Sequence, residues 1–232
     1  MSKVRRFLGR IKRRVLSIPI IKGVETGLER VLFMTSKELK ALFKSDSWLS
    51  RAKDIHKGER CFLLGNGPSL NQCDLTFLKD ELSFGVNGIF LAENFIPTYF
   101  MTVSAYFWKN HVKEIQQVKC QRRFIPADMK QLDSEVPTSW LNLVRPKYFS
   151  YTHSPLPVPS KFSFHPDRIV YAGGTVLFVC LQLAFYMGFK EVILLGVDHD
   201  YGQAKTAGSY NLHQIDSKDI KGAHFNKQYY PQ

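Results

Sequence analysis

Cys61-Phe62-Leu63-Leu64 runs directly into Gly65-Asn66-Gly67-Pro68-Ser69-Leu70. An apolar run that ends in two glycines, a proline and a hydroxyl reads as a buried parallel strand. Such a strand opens onto a phosphate at the C-terminal edge of a sheet. The loop directs the search toward a nucleotide. It is not a Walker A loop, which needs Gly-Lys-Ser/Thr where this chain has Pro68-Ser69. The dinucleotide fingerprint wants a third glycine where Leu70 stands, and an acid at the end of the second strand, where this chain has Asn87. An NAD enzyme is therefore disfavoured.

Working outward, the pattern alternates strand and helix. Strands are expected at Arg60–Leu64, Ser83–Val86, Pro97–Val103 and Arg123–Pro126, and helices at Leu75–Glu81, entered through Asp74, and Trp108–Gln117. Residues 132–168 are rich in Pro and Ser and give no clear pattern. Tyr171-Ala172-Gly173-Gly174-Thr175 then opens a helix over about 175–187, apolar nearly all round and closed by Gly188. A helix of that kind is expected to lie buried between layers. Glu191–Val197 is a strongly apolar strand, ending at Asp198. The fold class is α/β: a Rossmann-like, doubly wound, mostly parallel sheet with an N-terminal helical arm. Three loops (65–69, 87–88 and 172–175) are expected to converge on one sheet edge.

The bulk numbers fit one such domain. In 232 residues, hydrophobic content of 44% and charged content of only 22% argue against disorder. The net charge of +12 suggests nucleic acid until it is located. Residues 1–57 hold 15 Lys/Arg against 5 Asp/Glu, whereas 58–232 hold 17 against 15. The globular part is thus nearly neutral and supplies no basic groove for nucleic acid. Cys61, Cys73, Cys120 and Cys180 show no metal-type spacing and read as reduced thiols of a cytoplasmic protein. No stretch is long and apolar enough to span a bilayer, and charges interrupt any signal-peptide core.

Residues 1–20 carry the basic excess. Lys3, Arg5, Arg6, Arg10, Lys12, Arg13 and Arg14 come without an acid, while Val4, Phe7, Leu8, Ile11 and Val15 share one helical face. This describes a helix lying in an anionic membrane interface through residues 1–18, and Pro19 ends it. The alternative is a helix docking on its own domain or on a partner. Residues 21–57 read as a further helical arm, with Trp48 and Leu49 packing it onto the main domain at 58–232. The expected location is cytoplasmic, peripheral on the inner face of the membrane.

Gly65-Asn66-Gly67-Pro68-Ser69-Leu70, Gly85-Val86-Asn87-Gly88, and Gly188-Phe189-Lys190-Glu191-Val192 through Gly196-Val197-Asp198 together resemble a known group. It comprises the MptE-like proteins, named after the archaeal 6-hydroxymethylpterin diphosphokinase, with the CstII-type sialyltransferases and motility-associated flagellin glycosyltransferases. The likeness covers about residues 58–230. It implies that Gly65, Asn66, Gly67, Ser69 and Asn87 hold a donor nucleotide, that Gly174 and Thr175 meet its cytidine end, and that Asp198 closes the strand. It further implies that Tyr201 and Tyr210 bind the departing phosphate and that His224 is the base, with His199 and His213 as runners-up. The polar segment Gln203–Lys221 reads as a lid. Chains of this group continue further, so the chain is read as truncated on its acceptor side. Asp198 could also serve structurally, ordering the glycine loop.

Three functions are carried forward. The first is a glycosyltransferase that moves an acidic, sialic-acid-like sugar from a CMP-activated donor to a hydroxyl acceptor on a glycan or lipid-linked substrate. It needs no metal cofactor. The second is an ATP-dependent diphosphokinase in which Asp198 and Asp200 hold Mg²⁺. The third is a non-catalytic, membrane-associated nucleotide-binding module.

Overall fold

The computed structural model describes residues 46–129, 135–145, 161–198, 224–226 and 229. The basic arm, His199, Asp200, Tyr201, Tyr210, His213 and the segment Gln203–Lys221 lie outside the described residues.

Six strands form one parallel sheet: β1 (Arg60–Leu64), β2 (Ser83–Val86), β3 (Tyr99–Met101), β4 (Arg122–Pro126), β5 (Thr138–Leu141) and β8 (Glu191–Leu195). Their order is β5-β4-β3-β2-β1-β8. The chain therefore steps outward from β1 to β5 and returns to the opposite side of β1, pairing Leu64 with Leu195. Strand order reverses between β1 and β8, and ligands of open α/β sheets bind beyond the strand ends at such a point. The glycine loop begins there. A separate two-stranded pair, β6 (Leu143–Val144) and β7 (Val170–Tyr171), lies within and just after the stretch that gave no sequence pattern.

Alternating side chains divide the core into two layers, as a pleated strand requires. Cys61, Leu63, Phe84, Val86, Tyr99 and Met101 face helix α3 (Val176–Tyr186) and helix α1 (Ser47–Arg51). Phe62, Leu64, Phe100 and Ile125 face the other side, against Leu70, Leu78, Ile89 and helix α2 (Ala105–Gln117). Both faces are covered, which is the doubly wound arrangement. Asp46 caps α1 by accepting from the amides of Trp48 (3.0 Å) and Leu49 (2.9 Å), and the Ser139 hydroxyl also donates to it. Arg123 is fully buried and donates to the carbonyls of Gln116 and Val118, so a guanidinium closes the C-terminal end of α2.

Several expectations shift at their edges. The segment after Asp74 is a 3-10 helix, Leu75–Asp80, although Asp74 does cap it by accepting from the Thr76 amide. The third strand covers only Tyr99–Met101, and α2 starts three residues early because Ser104 caps it. Helix α3 is not buried on every side. Cys180, Leu183 and Ala184 are sealed in the core, while Phe185 is 57% exposed. All four cysteines are free thiols, and among the described residues no helix is long and apolar enough to cross a membrane.

Candidate functional site

The glycine loop leaves β1 and immediately turns its amides inward. The Gly65 amide donates to the Leu195 carbonyl and the Gly67 amide to the Gly196 carbonyl, both at 2.8 Å. The phosphate cradle expected from the sequence would need these two donors, and β8 holds them instead. Glycine is required here for close approach. A Cβ on Gly65 would overlap the Gly196 carbonyl oxygen, and one on Gly67 would overlap the Asp198 carboxylate. The backbone of the loop and the end of β8 are in direct contact.

Asp198 completes that contact. Its Oδ2 accepts from the Ser69 amide at 2.9 Å, and its Oδ1 accepts from the Ser69 hydroxyl. A carboxylate at the first turn of the short 3-10 helix Pro68–Gln72 satisfies a donor that the turn itself cannot. Both oxygens of Asp198 thus order the glycine loop from 129 residues away.

Asn66 is the polar centre of the site. It is 8% exposed, its Nδ2 donates to the Val86 carbonyl at 2.9 Å, and its Oδ1 is buried with no hydrogen-bond partner. An unpaired buried acceptor costs roughly 1–3 kcal/mol and is tolerated where a ligand donor can reach it. The loop is thereby tied to the end of β2, where Asn87 stands at φ +46°. That left-handed conformation suits asparagine. The Asn87 Oδ1 accepts from the hydroxyl of Thr102, a fully buried residue just past β3. The first two expected loops are therefore brought together, at the ends of adjacent strands.

Residues 224–226 and Tyr229 lie against this junction. The Phe225 amide donates to the Asn66 carbonyl at 2.9 Å, and Asn71 Nδ2 donates to the Phe225 carbonyl. The His224 ring stacks on Tyr229, with centroids 3.8 Å apart. Tyr229 in turn lies over Gly88, where a Cβ would strike its ring, and its carbonyl meets His111 Nε2. Burial pushes the His224 pKa below the usual 6.5, partly opposed by a hydrogen bond to the Asn66 backbone. The imidazole is thus neutral near pH 7 and rests against the glycine loop.

Gly174 and Thr175 lie at the start of α3, both exposed. Thr175 caps the helix by accepting from the Leu177 amide. Gly174 has φ +85° and open space around it. Among the described residues no hydrogen bond joins this turn to the 65–69 loop. Sequence reading missed Thr102, Tyr229 and Arg145. Arg145 follows β6, pairs with Asp128 at 2.6 Å and donates to the Val103 carbonyl, a partly exposed cation above the ends of β3 and β4. Only the position of Arg145 after a short apolar pair could have flagged it. Thr102 and Tyr229 have no local signal, because their partners are distant in sequence.

A protein-family model described as "6-hydroxymethylpterin diphosphokinase MptE-like" matches residues 35–204, well over half of the chain. A search of curated proteins gave no match.

Proposed function

The chain belongs to the MptE-like family, and on that premise we propose that it is a nucleotide-dependent transferase acting on a hydroxyl acceptor. The donor we propose is a CMP-activated acidic sugar, and the acceptor a glycan or lipid-linked hydroxyl. One observation carries the reading most of the way: His224, held neutral by burial, sits on Asn66 of the glycine loop at the sheet's switch point. A neutral imidazole beside the glycine loop is suited to general-base work near neutral pH.

In this reading His224 takes the proton of the acceptor hydroxyl as its oxygen bonds to the anomeric carbon. The bond from that carbon to the phosphate oxygen breaks, and CMP leaves as the anion. Asn66 Oδ1 receives a donor from the nucleotide, which removes the cost of an orphaned acceptor. With the Gly65 and Gly67 amides engaged by β8, the departing charge falls to Tyr201, Tyr210 and the turn at Gly174-Thr175. Ser69, Asn87 and Asp198 then act by holding the loop in shape. Residues 1–18 would bring the enzyme to an anionic membrane on the cytoplasmic side, where a lipid-linked acceptor resides.

The second reading is the ATP-dependent diphosphokinase, favoured by the family's own description. It would use Asp198 with Asp200 to hold Mg²⁺ on a diphosphate. Both oxygens of Asp198 already accept from Ser69, which fits a metal ligand less well and ranks this reading lower.

Thermal-shift titration of the full chain with CMP, CDP, ATP, UDP and NAD, with and without Mg²⁺, tests the choice. Stabilisation by CMP without metal is expected. Stabilisation by ATP only with Mg²⁺ would favour diphosphate transfer, and no response to any nucleotide would leave the non-catalytic module. For the arm, removing residues 1–20 is expected to abolish co-sedimentation with anionic vesicles, and equal partition of both forms would refute the membrane role.

A further inference from the structure

Helix α3 holds 11 residues without a single charge. On its outer face Phe178 and Phe185 pack against Phe162, and Phe185 also against Phe164, with ring centroids 5.6–5.9 Å apart. Phe164 is 63% exposed and Phe185 57%. A solvent-facing stripe normally carries polar side chains, and a clustered aromatic surface marks a place of contact.

The charges around the cluster identify the contact. In the segment 161–168 the cations Lys161 and Arg168 are both exposed. Asp167, its one acid, is only 9% exposed and turned inward, within 3.8 Å of both His165 and Arg168. Phe162 and Phe164 thus share their segment with two outward cations, Lys161 and Arg168, while its one acid is turned inward. Two copies of this face would oppose cations to cations, whereas an anionic bilayer takes up rings and cations together. We propose that the outer face of α3, with Phe162 and Phe164, is a second membrane-contact surface that inserts into an anionic lipid interface. It lies in the folded domain and does not depend on the basic arm or on the transferase reading.

The test uses the full chain with phosphatidylcholine vesicles, with and without added phosphatidylglycerol. In Phe185→Trp, dibrominated acyl chains should quench the new fluorophore beyond the quenching seen for the wild type, which reads insertion at this site even when the arm also binds. Phe164→Ser combined with Phe185→Ser should lower partition onto phosphatidylglycerol vesicles by about tenfold. Its unfolding midpoint should stay at the wild-type value, because both rings are largely exposed. No added quenching, or an unchanged partition, would overturn the proposal. So would loss of a dimer on size exclusion with vesicle binding intact, which would assign the face to a second copy.

Discussion

Gly65 and Gly67 press their backbone against the end of β8 and the Asp198 carboxylate, whereas Gly174 stands in open space at φ +85°. All three glycines stand before helical turns, which pack on opposite faces of the sheet, and in sequence they read as one kind of feature. The first pair is glycine because no side chain fits. Gly174 is glycine because its backbone conformation disfavours one. The difference locates the rigid part of the site at the β1–β8 junction, where strand order reverses, and makes the α3 turn the adaptable part.

That contrast can be broken by substitution, and the largest effect is expected at the junction. Gly65→Ala places a methyl group on the Gly196 carbonyl, which is backbone and cannot step aside, and should cost about 3 kcal/mol in urea unfolding. A loss below about 1 kcal/mol would show that the junction yields. Asp198→Asn keeps the shape but removes the charge that accepts twice from Ser69, and should cost about 2 kcal/mol. A double-mutant cycle with Ser69→Ala sharpens this, because the two losses should fall well short of adding if they report one interaction. Gly174→Ala meets no neighbour and should cost about 1 kcal/mol, from backbone strain alone.

The smallest effect is on the pH dependence of stability. Burial lowers the His224 pKa in the folded protein, so below pH 6.5 the unfolded chain takes up its proton first. Stability contributed by neutral His224 is complete above 6.5 and declines as pH falls toward the folded value. His224→Gln should flatten that part of the profile, and an unchanged slope would show that His224 is not buried in solution.

What the sequence could reveal follows from the range of each interaction. The apolar run before Gly65, the helix closed by Gly188 at φ +86° and the strand ending at Asp198 are local patterns, and each led to the right element. Strands β5 and β6 were not legible, since Thr138–Val144 is stabilised by pairing with β4 and β7 and not by its own composition. The site divides the same way. Asn66 and His224 could be singled out by residue type and resemblance. The inward turn of the Gly65 and Gly67 amides depends on β8, some 130 residues later, and nothing near the loop encodes it. Apolarity on all sides of α3 was visible, but composition alone does not distinguish a buried face from one offered to a surface.

His224 is proposed to act as a base at the glycine loop, beyond packing its ring on Tyr229. The most direct measurement is the turnover of CMP-N-acetylneuraminate by the wild type and by His224→Gln across pH, with CMP affinity measured in parallel. The account predicts an acid limb below pH 6.5 in the wild type, and in the variant a fall in kcat of about 10²–10⁴ with CMP affinity within a few-fold. An unchanged kcat and pH profile in His224→Gln would contradict it.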